Sequence, residues 1–169
     1  NYIRIFIKWA LISTVVGAIG GLIGTAFHES VDYVTKVRES NSWLIFLLPM
    51  GGLAIVGLYK LCRLNAGTNR VIESVQSGKK VPILMAPLIF VSTVITHLLG
   101  GSAGREGAAL QLGGSIGYKF GKLFRLDEKE MRLIVMLGMS GMFAALFGTP
   151  LTATFFALEV ISVGVIYYV

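Results

Sequence analysis

The stretch Gly100-Gly101-Ser102-Ala103-Gly104-Arg105-Glu106-Gly107-Ala108-Ala109-Leu110-Gln111-Leu112-Gly113-Gly114 decides how the rest of this chain is read. It sets a cation beside a carboxylate in an apolar neighbourhood, framed by glycines, where a new helix should begin. In a soluble protein this would be an ordinary loop-to-helix junction. In a bilayer the pair is costly, and an ionisable residue kept at depth marks a functional site.

Composition favours the bilayer. Of 169 residues, 54% are hydrophobic and 14% charged, against about 25% charged in soluble domains. The 21 glycines suit helices that approach closely in lipid. The net charge of +6 does not imply nucleic acid, because the basic residues sit in short polar gaps between apolar runs, a topogenic pattern. A single cysteine, Cys62, rules out an internal disulfide and a Cys-based metal cluster. No cofactor is called for.

Working outward, Ile5 to Phe27 is long enough for the roughly 20 residues of a spanning helix, and its pairs Gly17/Gly21 and Gly20/Gly24 offer close packing. His28, Glu29 and Asp32 should mark its exit into a polar segment ending at Asn41. Trp43 to Leu61 reads as a second span, kinked by Pro49 and Gly51-Gly52. Asn65 to Asn69 reads as a turn ending in an N-cap, followed by a two-turn helix from Arg70 to Gln76, too short to cross. Pro82 to Leu99, Gly107 to Phe124, Leu133 to Phe147 and Leu151 to Val169 are further helices, the last with Pro150 as its N1 proline. Gly113, Gly117 and Gly121 give one smooth face. The sequence therefore predicts an all-α membrane protein, a multi-pass bundle with broken and re-entrant helices, in a single transmembrane domain over 1–169. It starts at Asn1 and stops inside the run Val160–Val169, and a fragment is expected.

Twelve of the fifteen Lys and Arg lie in three segments: the N-terminus, Lys60–Lys80 and Lys119–Arg132. Alternating crossings place all three in the cytoplasm, with Lys36, Arg38 and the Arg105-Glu106 motif toward the outside. A helix starting near Glu106 aims unpaired N–H groups and its positive dipole end at what lies before it. Small Gly104 and Gly107 let an ion reach the backbone, which makes an anion site built from neutral donors. The turn Gly67-Thr68-Asn69 offers a second helix end, and Gly148-Thr149 a weaker third. Glu106 as carboxylate can occupy such a site itself; protonated, it can withdraw, joining gate to proton carrier. The bland alternative is a polar packing cluster with glycines for close contact.

Gly104-Arg105-Glu106-Gly107 with Gln111 to Gly117, followed by Ala144 to Ala153 and Phe155-Phe156-Ala157-Leu158-Glu159, resembles the CLC family of chloride channels and anion/proton antiporters. The resemblance implies the first half of an inverted-repeat membrane protein, homodimeric, in the plasma membrane, with Glu106 as external gate. It implies anion-binding positions at Gly67, Thr68, Asn69, Gly104, Arg105, Gly107 and Phe156, with Arg105 orienting the loop by hydrogen bonds rather than touching the ion. The family's second half, which supplies an inner-gate Tyr, is missing, so this stretch alone should not transport.

Three departures shift the expected ion. Chloride-type members have Gly-Ser-Gly-Ile-Pro where this chain has Gly67-Thr68-Asn69-Arg70-Val71. They have Pro where Ala108 stands, and their chloride/proton antiporters have a second acid at the position of Val160. All three resemble the fluoride/proton antiporter branch. Fluoride export with proton import is expected, with a chloride channel or chloride/proton antiporter as the alternative. An intramembrane serine protease is a remote third reading, because Gly138-Met139-Ser140-Gly141 resembles the Gly-x-Ser-Gly of rhomboid enzymes; a Ser nucleophile needs a base within reach, and rhomboids supply theirs from a later helix, whereas His28 and His97 both lie upstream.

Overall fold

A computed structural model describes residues 2–64, 71 and 81–162. Among them the chain forms six α-helices: α1 (Tyr2–Ser40), α2 (Leu48–Leu61), α3 (Met85–Leu98), α4 (Arg105–Leu123), α5 (Glu128–Phe147) and α6 (Pro150–Ser162), with a 3-10 helix at Ser42–Leu47. Three helical stretches are long and apolar enough to cross a membrane: Tyr2–Ser40, Ser42–Leu61 and Glu128–Phe147. The short helix expected at Arg70–Gln76 falls outside the described residues, apart from Val71.

Helix α1 corrects the expected exit after Phe27. It continues through the whole polar segment to Ser40, because residues 28–40 contain neither Gly nor Pro and nothing there stops the backbone ladder. Polarity marks the end of the apolar stretch and not the end of the helix. The second span is also built differently. Its first six residues wind as 3-10 helix, and Pro49 sits in the first turn of α2, where its missing N–H costs nothing. Gly51-Gly52 lie inside α2 without breaking it.

Helix ends are closed by recognisable local devices. At the end of α3, Gly100 takes φ +83°, with Gly100 N–H donating to His97 O at 3.2 Å and Gly101 N–H to Thr96 O at 2.8 Å. This is a Schellman arrangement. The same pattern ends α2 and α4, with Arg63 and Arg125 in the left-handed position at φ 53°. Asp127 caps α5 by accepting from Glu130 N–H at 2.8 Å. Gly148 ends α5 at φ 67°, two residues before Pro150 opens α6.

Helix α4 is the axis of the described bundle, packed by α1, α3 and α5; eleven of its nineteen residues are buried. Its glycines meet backbone directly: a Cβ on Gly113 would strike the carbonyl of Gly138, and one on Gly117 that of Ile134. Gly138 in turn faces the carbonyl of Gly113. Such contact maximises dispersion where lipid supplies no hydrophobic drive between helices. On α1 Gly20 and Gly24 face α5, with Gly24 against Met142 and Ala145, and a Cβ on Gly141 would lie 3.8 Å from Gly17 Cα. The core is closed by Phe27, Val31, Met85, Leu112, Val135, Met139 and Met142, with Phe27 edge-on to Phe90 at 5.3 Å.

Candidate anion site at the start of α4

The Schellman turn at Gly100 releases the chain into the extended residues 101–104, and α4 starts at Arg105. Gly104 is its N-cap, in extended conformation (φ −65°, ψ 126°), and no side chain caps the helix. The first-turn amides are therefore left to a ligand or solvent. Glu106 stands in this first turn with an exposed side chain. Its carboxylate folds back over the helix start: a Cβ built on Gly104 would lie 3.0 Å from Glu106 Oε2.

Arg105 turns away from the mouth, toward α1. Its Nη1 reaches Asp32 Oδ1 at 2.9 Å, and Asp32 Oδ2 lies 3.4 Å from His28 Nε2, one turn earlier on α1. His28 Nδ1 is buried and finds no hydrogen-bond partner among the described residues. A guanidinium at a helix N-terminus faces the wrong end of the dipole, and the Asp32 carboxylate offsets that charge. Sequence reasoning missed this partner by treating His28 and Asp32 as a helix exit. A signal was present: the outward-facing segment offers Arg105 only Glu29, Asp32 and Glu39 as acids.

Other expected site residues are dispersed. Gly67, Thr68 and Asn69 lie outside the described residues. Nearby Val71 is buried against α4 at Gly114, eight residues, or roughly 12 Å along the axis, from Glu106. Phe156 packs on Phe143 of α5, with ring centroids 4.7 Å apart. Among the described residues His97 is occupied within its own helix, Nδ1 lying 2.9 Å from Thr93 O. Ser140 donates to Leu137 O at 3.1 Å. No imidazole partners that hydroxyl among the described residues, and nothing there resembles an activated nucleophile.

Ion pairs sort the chain into two sides. Lys8 pairs with Glu130, tying the N-terminal end of α1 to the start of α5. Asp32 pairs with Arg105 at the other end. The 24 residues from Lys8 to Asp32 span ~36 Å of helix, slightly more than the roughly 30 Å hydrocarbon core. These two pairs agree with the N-terminus and the Lys119–Arg132 segment sharing one side and the Arg105 motif lying at the other; Lys60–Lys80 falls mostly outside the described residues.

A family profile described as "Voltage gated chloride channel" matches residues 51–167. The chain belongs to this CLC family. It is 39% identical to the "Chloride/fluoride channel protein" of Pseudomonas syringae pv. tomato over 160 residues, covering 93% of this chain and 35% of that relative. It is 29% identical to the "H(+)/Cl(-) exchange transporter ClcA" of Vibrio campbellii, covering 87% of this chain and 35% of that protein. The crystal structure of a CLC-type fluoride/proton antiporter superposes with a TM-score of 0.88 at 39% identity, over 97% of this chain and 42% of that one. The chain thus spans about two-fifths of the CLC proteins it matches. It is an integral membrane protein of the all-α CLC fold.

Proposed function

We propose that this chain is the N-terminal half of a homodimeric, multi-pass plasma-membrane CLC transporter that exports fluoride in exchange for protons. The observation that carries the reading is the Glu106 carboxylate lying over Gly104, at an uncapped helix start. A carboxylate this close to an uncapped helix start is placed to compete with the anion those amides would bind. When protonated it loses its charge and its hold on that position, so the site opens and one proton moves with the gate. Gly104 and Gly107 keep the approach narrow and free of side chains. Gly67, Thr68, Asn69 and Phe156 are further anion-binding positions on this reading. Arg105 orients the loop and does not touch the ion.

Backbone donors suit a transported ion, because binding must be weak enough for release. Fluoride is favoured over chloride by Thr68-Asn69 in place of the chloride-type Ser and by Val160 in place of a second acid. It is favoured too by the 39% identity to relatives whose names include fluoride, against 29% for the chloride exchanger. The test uses the longer protein in fluoride- or chloride-loaded liposomes, read with ion-selective electrodes. Fluoride efflux at least tenfold faster than chloride efflux is expected; equal rates would return the reading to a chloride transporter.

A further inference from the structure

The pairing of Arg105 with α1 separates two charges that adjoin in sequence. We propose that Asp32 is a positioning residue of the gate: it holds the Arg105 guanidinium away from the neighbouring Glu106 carboxylate and so leaves that carboxylate free to move. This rests on the reading of Glu106 as gate.

The geometry is specific. Arg105 Nη1 pairs with Asp32 Oδ1 at 2.9 Å, and the second Asp32 oxygen lies 3.4 Å from His28 Nε2. Asp32 thus sits between Arg105 and His28, on a helix that continues well past it to Ser40. Residues i and i+1 of a helix do not face one another, and no Arg105–Glu106 ion pair forms among the described residues. An arginine is long and flexible, however, and a released guanidinium within reach of a carboxylate forms a strong charge-assisted pair. Without Asp32, the nearest carboxylate on the motif itself is Glu106. The other nearby cation of that side, Arg38, packs its stem against the Gly100 turn. The Asp32–Arg105 pair is about one-third exposed, so solvent screens it and its worth to folding is small. Its consequence lies in what Arg105 is prevented from doing.

The experiment measures fluoride efflux from liposomes holding the longer transporter. Asp32→Asn should lower efflux about fivefold, as expected for a modest coupling between two groups, while Asp32→Glu keeps at least half of the wild-type rate. The double variant Asp32→Asn with Arg105→Gln should transport faster than Asp32→Asn alone, because the capturing guanidinium is gone, and slower than wild type, because Arg105 also orients the loop. A simple structural staple predicts the opposite, since removing the second partner restores nothing. A double variant as slow as Asp32→Asn, or an Asp32→Asn that transports normally, overturns the proposal. Should Asp32→Asn fail to fold, His28→Leu carries the same test: a smaller loss of efflux, partly relieved by adding Arg105→Gln, supports it, and a loss that Arg105→Gln leaves unchanged or deepens overturns it. Fluoride efflux indifferent to Glu106→Gln would remove the gate itself; efflux that needs Glu106 and ignores Asp32 removes this inference alone.

Discussion

At the scale of single residues, the mouth of α4 depends on what Gly104 lacks. Its backbone (φ −65°, ψ 126°) is open to any residue, so Gly104→Ala should fold normally, changing stability by less than about 0.5 kcal/mol. Its Cβ would nonetheless stand 3.0 Å from Glu106 Oε2 and push the carboxylate off the helix start. The expected outcome is faster, poorly proton-coupled fluoride flux with an unchanged melting temperature; lost folding would show that the glycine serves packing instead. Glu106 was legible in sequence because an acid in an apolar chain is costly and so calls attention to itself. Asp32 was not, because it belongs to a segment whose polarity looked like a boundary. Only the continued helix, which stacks His28 and Asp32 one turn apart, shows that this segment reaches the motif.

At the scale of elements, the contacts between α4 and α5 are the most exacting. Gly113→Ala drives a methyl group into the Gly138 carbonyl, neither of which can step aside, and should cost about 2–3 kcal/mol. Gly21→Ala, with open space around it, should be neutral or stabilising by up to about 1 kcal/mol. Thermal melts in detergent separate the two. The recurrence of Gly113, Gly117 and Gly121 announced this face; which helix it met could not be read, since a smooth face names no partner. Arg125 holds a left-handed φ of 53° where glycine would rest without strain, so Arg125→Gly should stabilise the α4–α5 connection by about 1 kcal/mol. A fall in melting temperature would show that the Arg125 side chain matters more than its backbone. These arginine-bearing turns had no sequence signature, because the residue that normally marks such a turn is absent. Gly148 and Pro150, by contrast, announced theirs.

At the scale of the whole molecule, the sidedness read from basic residues agrees with the ion pairs at the two ends of α1. The assignment of those sides to inside and outside rests on charge alone. In a Cys62→Ser background, a membrane-impermeant maleimide should label Ser42→Cys on intact cells and Lys129→Cys only after permeabilisation; the reverse pattern would invert the topology. The membrane class was legible from the low charge content, and the family from two motifs in order. The exposed apolar faces of α1, the 3-10 helix, α2 and α6, including Leu22, Phe46, Leu53, Leu151 and Phe155, need lipid or further protein to cover them. Which residues meet which cannot be inferred from amphipathicity when both coverings are apolar. On the proposed reading, Glu106 carries the proton as well as closing the path. The most direct measurement records fluoride efflux and proton uptake together in liposomes, for wild type and Glu106→Gln. Coupled fluxes in the wild type, with proton uptake abolished in Glu106→Gln, are the predicted result; proton-coupled fluoride transport persisting in Glu106→Gln would contradict the account.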